Sequence, residues 1–117
     1  MLPARHRMRL GSDFEAAVRR GRRAGRRSLV VHAVLNGEAG QAARVGFVVS
    51  RAVGTAVVRN RVKRQLRAAM AARVVGLPEG ALVVVRANPA AAGAQASTLV
   101  ADLDVALPRA LTSGERR

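Results

Sequence analysis

The stretch from Ala56 to Arg67, AVVRNRVKRQLR, constrains the chain most, because it combines a helical apolar pattern with five Lys or Arg among its twelve residues. At about 100° per residue, the apolar residues of this stretch and of the next turn share one flank of a helix: Val58, Val62, Leu66, Ala69 and Met70. The opposite flank carries Asn60, Lys63, Arg64 and Arg67, and the two borders carry Arg59 and Arg61. One side of the predicted helix can therefore pack in a core while the other side stays basic.

The basic side of this helix has no acidic residue near it in the sequence. Asp and Glu are absent from 51–70, so the helix lacks the pairs of opposite charge four residues apart that stabilise ordinary exposed helices. The whole chain has a formal net charge of +14, and residues 1–67 hold sixteen basic and three acidic side chains. Such a surface repels itself and attracts a polyanion, whose phosphates suit the planar fork of arginine. The pattern predicts a nucleic-acid-binding surface in the N-terminal half.

Composition limits the class of protein. A length of 117 residues with 50% hydrophobic residues indicates one folded domain, 1–117, with a basic arm at 1–11 and a frayed tail at 112–117. Cysteine is absent, which excludes a disulfide framework and thiolate chemistry. No apolar run approaches the roughly 18 residues of a membrane span, and the N-terminus lacks the apolar segment of a secretory signal. We expect a cytoplasmic protein that does not bind membranes.

The residues before the basic helix predict one helix and two strands. Ser12 and Glu15 have capping-box spacing, so a helix is expected over 13–20, followed by a basic loop at 21–27, GRRAGRR. The β-branched stretches 28–36 and 43–50 predict strands, which we expect to pair as an antiparallel hairpin across the turn that begins at Asn36 and Gly37.

The remaining elements complete a mixed fold. Thr55 is the expected N-cap of the basic helix, which should end near Val74. A strand over 81–87, a loop over 88–96 and a helix capped by Ser97 and ended or kinked by Pro108 should follow. The sequence thus predicts an α+β fold in the order α-β-β-(β)-α-β-α, a small mixed sheet with helices mainly on one face.

The block RVGFVVSRAVGTAVVRNRVKRQLR, Arg44 to Arg67, resembles the signature of the protein subunit of bacterial ribonuclease P. The hallmark of that family is an arginine-asparagine-arginine helix, matched here by Arg59, Asn60 and Arg61, with Lys63, Arg64 and Arg67 at the family's spacing. The opening LPARHRMRLGSDFEAAVRRG is also similar, so the resemblance covers about residues 2–89. It implies an α-β sandwich with a left-handed β-α-β crossover, although elementary chain geometry favours a right-handed one.

The resemblance also implies a function. In this family the catalyst is a large RNA that removes the 5′ leader of precursor tRNA with bound Mg²⁺, while the protein binds the catalytic RNA and the leader. The expected partners are therefore these two RNAs, without DNA. No cofactor or metal is assigned to the protein itself, and whether it supplies a Mg²⁺ ligand stays open.

The same resemblance places the leader in a cleft between the first helix and a sheet face. Phe14 matches an aromatic residue of that cleft, where a ring can stack on a base of any sequence. Val18 stands where the family commonly has a second Phe, and His32 where it often has Tyr. Ser50, Arg51 and Arg86 are further candidates for the cleft. Phe14 can equally serve only to pack the first helix on the sheet, and alternation along its strand predicts that Phe47 belongs to the core.

The sequence offers no convincing catalytic residues. An acid-base ribonuclease would need His6 and His32 to converge, and Asp102 and Asp104, two apart on a predicted helix, do not share a face.

Two other classes of protein stay open. A ribosomal or other structural RNA-binding protein would use the basic helix equally well but would not affect tRNA processing. A nucleoid DNA-binding protein would usually show a dimerising helix pair or a long basic β-arm, and neither is seen.

Overall fold

The computed structural model describes residues 2–8, 11–35 and 40–112, which form three helices and four strands. The helices are α1 (Gly11–Arg20), α2 (Ala56–Ala71) and α3 (Ala96–Thr112). The strands are β1 (Arg22–Gly25), β2 (Leu29–Leu35), β3 (Arg44–Val48) and β4 (Ala81–Ala87). Short 3-10 turns occupy Ala4–His6, Val74–Gly76 and Pro89–Gly93. The predicted α+β class and the order of the elements are confirmed, with three strands before α2.

The four strands form one mixed sheet in the order β1-β2-β4-β3. The predicted hairpin between β2 and β3 is wrong, because β4 lies between them, antiparallel to β2 and parallel to β3. The first five residues of β4, Ala81 to Val85, are all buried, and a strand that is apolar on both faces gains most from a central position. The connection from β3 through α2 to β4 is the expected parallel crossover, and its left-handed sense stays a prediction.

β1 was not expected from the sequence. The basic stretch predicted as a loop contains a strand, Arg22–Gly25, that pairs antiparallel with β2. A strand at the edge of a sheet can expose charged side chains while its backbone is paired on one side. Ala24, the one half-buried residue of β1, packs against the main core.

α2 begins as predicted, whereas the starts of α1 and α3 and the end of α3 differ from prediction. Thr55 is the N-cap of α2, as expected, and its hydroxyl accepts a hydrogen bond from the amide of Val58. α1 and α3 begin one or more residues early, so that Ser12 and Ser97 lie inside the first turn instead of capping it. Pro108 does not end α3, which continues to Thr112, because Leu107 and Ala110 on either side of it are buried in the core.

Helices cover both faces of the sheet. α2 and α3 pack on one face and enclose the main core, which includes Val31, Val45, Val62, Leu66, Val83, Val85, Leu99 and Leu103. α1 packs alone on the other face, where Ala17, Leu82 and Val84 form a smaller core. Two of the three helices thus share a face, as predicted. Within the described ranges, no helix is both long and apolar enough to cross a membrane.

Candidate RNA interface

The basic flank of α2 faces away from the main core. Val62, Leu66, Ala69 and Met70 bury the apolar flank, and this orientation leaves the predicted binding residues at the surface. Asn60, Arg64 and Arg67 are exposed, while Lys63 and the border residues Arg59 and Arg61 are half-buried. The structure therefore leaves all six predicted RNA-binding residues at least partly exposed on α2, with Arg59 and Arg61 at the two borders of the basic flank.

The two border arginines also fix α2 to its neighbours. Arg59 donates from Nε to the carbonyl oxygen of Val49, just beyond β3, at 3.3 Å. Arg61 donates from Nη2 to the carbonyl oxygen of Ala92 in the turn before α3. A guanidinium has five N–H donors, so each arginine keeps donors for a phosphate after making its internal bond. These bonds hold α2 in place on both sides of its basic flank.

The carboxylates that the structure describes are engaged away from this flank. Four of them form ion pairs: Asp13 with Arg44 at 3.3 Å, Glu15 with Arg19 at 3.6 Å, Asp102 with Arg26 at 3.5 Å and Asp104 with Arg73 at 2.6 Å. The fifth, Glu79, accepts a hydrogen bond from the amide of Gly40. Among the described residues, no carboxylate therefore pairs with the five cations of the α2 flank.

Asp102 and Asp104 have structural roles that the sequence did not reveal. Asp102 Oδ2 accepts hydrogen bonds from the hydroxyl and the amide of Ser28, at 2.6 and 3.2 Å. The hydroxyl bond is the largest of the effects that hold the pKa of Asp102 below its ordinary value. Two hydrogen bonds from the Arg73 guanidinium act in the same way on the pKa of Asp104. Asp102 thus fixes the turn between β1 and β2 to α3, and Asp104 fixes α3 to the end of α2.

The predicted leader cleft corresponds to the sheet face that α1 covers. His32 of β2 lies opposite Val84 of β4, and two steps along the strands Val30 lies opposite Arg86. Val84 belongs to the core under α1, and alternation along the strands puts His32 and Arg86 on the same face. Phe14 and Val18 belong to α1, the helix that covers this face; Phe14 packs against the core there, whereas Val18 is exposed. Ser50 and Arg51 are exposed in the turn between β3 and α2.

Phe14 lies against the backbone of β3 at Gly46. A Cβ at position 46 would stand 2.6 Å from Cε1 of Phe14, and still closer to Cζ. The ring is half-buried and packs against the smaller core. The glycine therefore makes room for the ring, which contributes to the packing of α1 while part of it stays accessible.

His32 is a buried polar side chain on this face. It is 6% exposed, and neither ring nitrogen has a hydrogen-bond partner among the described residues. Burial is the main cause that lowers the pKa of His32, and the positive charges of Arg86 and Arg23 lower it further. Arg23 lies opposite His32 across β1 and β2; sequence reasoning missed it because its segment was expected to be a loop. A neutral imidazole between two arginines can offer one donor and one acceptor to a ligand.

His6, the other histidine of the chain, makes a structural hydrogen bond. Nδ1 of His6 donates to the carbonyl oxygen of Ala43 at 2.7 Å, so this ring fastens the N-terminal arm to the start of β3. Among the described residues, no three His, Asp or Glu side chains come together as a possible set of metal ligands.

Comparison with known proteins agrees with this geometry. The family model described as Ribonuclease P matches residues 2–111. The ribonuclease P protein component of Streptomyces avermitilis is 54% identical, and the match covers 99% of this chain and 100% of that protein. The corresponding protein of a Nocardioides species is 59% identical over 93% of this chain and 94% of its own length.

Two solved structures are similar in fold. The RNase P protein of Staphylococcus aureus superposes with a TM-score of 0.80 at 24% identity, covering 91% of this chain and 97% of that one. The RNase P protein of Thermotoga maritima gives a TM-score of 0.71 at 27% identity, with coverage of 85% and 92%. From the family match and these relatives, the chain belongs to the family of ribonuclease P protein components.

Proposed function

We propose that this chain binds the catalytic RNA of ribonuclease P through the basic flank of α2 and aids the RNA-catalysed removal of the 5′ leader from precursor tRNA. The observation that carries the proposal is the charge of that flank. It presents five cations and Asn60, while the described carboxylates are engaged elsewhere. Release of counterions then favours binding of a polyanion, and the bonds of Arg59 and Arg61 fix the geometry of the flank before binding.

The sheet face under α1 is proposed to contact the leader. Its floor carries His32 and Arg86, and Phe14 forms part of its edge. A leader strand of any sequence can use such a surface, because phosphates contact the arginine and bases stack on the ring without sequence-specific bonds. Val18 is 37% exposed and offers apolar contact without the stacking of an aromatic residue.

The Mg²⁺ ions of catalysis are expected to bind to the RNA and not to the protein. The resemblance assigns the Mg²⁺ ions of catalysis to the RNA subunit, and the described residues bring no carboxylate cluster to the basic flank. Cations of the protein neutralise phosphates that would otherwise need dissolved ions, so the protein is expected to lower the Mg²⁺ concentration at which the RNA works. The site of action is expected to be the cytoplasm.

The experiment is cleavage of a precursor tRNA by a bacterial ribonuclease P RNA at low Mg²⁺, with and without the protein and with the protein alone. The proposal expects cleavage only in the mixture, at the 5′ end of the mature tRNA. Binding of the RNA without a gain in cleavage would favour a structural RNA-binding protein instead. Cleavage by the protein alone would mean that it contains an active site of its own.

The leader contact needs a separate test, because the subunit can act without it. Phe14→Ala should weaken binding of precursor tRNA to the assembled enzyme more than binding of mature tRNA. An equal loss for both would remove Phe14 from the leader site and leave it a packing residue only. Thermal unfolding of the variant shows whether α1 stays in place.

A further inference from the structure

The two aromatic side chains of the chain, Phe14 and Phe47, line the same groove. Its volume is about 180 Å³, and its lining also includes Lys63 and Arg67 of α2. The groove lies at β3, one of the two edge strands of the sheet. Phe14 reaches it from the face that α1 covers, and Phe47 from the face that α2 covers. Aromatic and basic side chains that are far apart in sequence are therefore combined in one place.

Phe47 differs from the core residue that the sequence predicted. Its neighbours on the same face, Val45 and Val83, are buried, but Phe47 is only half-buried. The exposed part of the ring belongs to the groove wall. Phe47 thus packs against the main core and also lines the groove.

The shape and charge of the groove limit what it can hold. Its volume is well below the roughly 300–1,000 Å³ of pockets for drug-sized ligands, so it suits one planar ring. An aromatic wall favours a π-system, and Lys63 with Arg67 favours an anion beside it. A nucleotide of a single strand offers both groups at once, a base and a phosphate.

We propose that this groove binds one unstacked nucleotide of the catalytic RNA, with its base against Phe47 and its phosphate between Lys63 and Arg67. The inference rests on the proposed function, and the position of the groove selects the catalytic RNA over the leader. Lys63 and Arg67 belong to the flank assigned to the catalytic RNA; Phe14 is shared with the leader face, but His32 and Arg86 of that face do not line the groove. The groove would therefore add a stacking contact to a surface that otherwise binds by charge.

Fluorescence gives a direct test, because the chain contains no Trp. Phe47→Trp places a single fluorophore in the groove, and Val75→Trp is the matched control at a residue that is 82% exposed in the turn after α2. Catalytic RNA should quench the fluorescence of the Phe47→Trp variant saturably and leave that of the Val75→Trp variant nearly unchanged. Equal quenching of both variants would overturn the proposal. Quenching of the Phe47→Trp variant by a leader oligonucleotide but not by the catalytic RNA would overturn it as well.

Affinity measurements separate stacking from charge. Phe47→Leu should lower affinity for the catalytic RNA by at least about fivefold at fixed salt, with an unchanged slope of affinity against salt concentration. Lys63→Ala should instead reduce that slope by about one. Thermal unfolding of both variants checks that the sheet is intact.

The outcomes distinguish this inference from the function on which it rests. If the unaltered protein restores cleavage but Phe47→Leu keeps full affinity, the groove assignment is wrong and the proposed function stands. If the unaltered protein fails to restore cleavage, the proposed function fails, and the assignment of the groove to the catalytic RNA fails with it.

Discussion

Replacement of Gly46 by Ala tests how α1 is held on the sheet. The added methyl group would stand 2.6 Å from Cε1 of Phe14, closer to Cζ, and 3.0 Å from Sδ of Met8, whereas ordinary contacts of this kind are 3.4–4 Å. β3 cannot retreat freely, because its residues Arg44 to Val48 pair with β4. The Phe14 ring must therefore move by about 1 Å, and α1 must move with it or the ring must leave its rotamer.

The expected cost follows from this displacement. Overpacking of a well-packed core by one methyl group typically costs about 1–3 kcal/mol. We expect Gly46→Ala in the upper half of that range, about 2–3 kcal/mol, since the methyl group meets two side chains and paired backbone lies behind it. A domain of this size is stable by only about 5–15 kcal/mol, so the loss is easily measured by urea unfolding.

A double-mutant cycle identifies the cause. In a Phe14→Ala background the ring is gone, and Gly46→Ala should cost less than about 1 kcal/mol or even stabilise, because its methyl group enters the vacated space. The two substitutions should therefore couple by about 1–3 kcal/mol. Additive effects within about 0.5 kcal/mol would refute the contact between ring and glycine as the source of the instability.

Three further predictions concern charge and hydrogen bonding. Arg64→Ala should lower affinity for the catalytic RNA at fixed salt more than Arg23→Ala, because only Arg64 lies on the α2 flank; equal losses would indicate an unspecific basic surface. Asp102→Ala should destabilise the protein by about 1.5–3 kcal/mol at pH 7, as it leaves the buried Ser28 donors without their charged acceptor. Because the folded-state pKa of Asp102 is lowered, this difference should be fully present above about pH 4 and should shrink as pH falls through the folded-state pKa; a difference that is constant down to about pH 2 would contradict the assignment. Thr55→Ala should cost about 0.5–1 kcal/mol in urea unfolding through loss of the N-cap bond, and no loss would show that water replaces it.

The sequence was most informative where one segment carries its own periodicity. α2 could be placed because an N-cap, an apolar flank and a basic flank all occur within Thr55 to Met70, and each was found where expected. Two of the six leader-cleft candidates, His32 and Arg86, share a sheet face, and Phe14 and Val18 belong to the helix that covers it. The family resemblance selected these candidates, and alternation along the strands cannot reveal which strands are neighbours.

The errors arose where pairing between distant segments decides the structure. Three of the four residues of β1 are exposed, and only its backbone bonds to β2 make it a strand. β4 is central because it pairs with β2 along one edge and with β3 along the other. The residues next to β4 in the sequence do not indicate these partners. The groove beside Phe47 could not be predicted from the sequence either, since α1, β3 and α2 each supply part of its wall.

The distribution of carboxylates explains how the fold holds a self-repelling helix without neutralising it. Asp13, Asp102 and Asp104 each join two elements by pairing with a cation outside the α2 flank. The flank itself is held by burial of the opposite side of α2 and by the bonds of Arg59 and Arg61 to backbone carbonyls, so its repulsion is a cost that the free protein bears. Binding of a polyanion removes that cost and stabilises the folded state by linkage. It follows that loss of Arg64 should leave the free protein at least as stable as before, even though it weakens RNA binding.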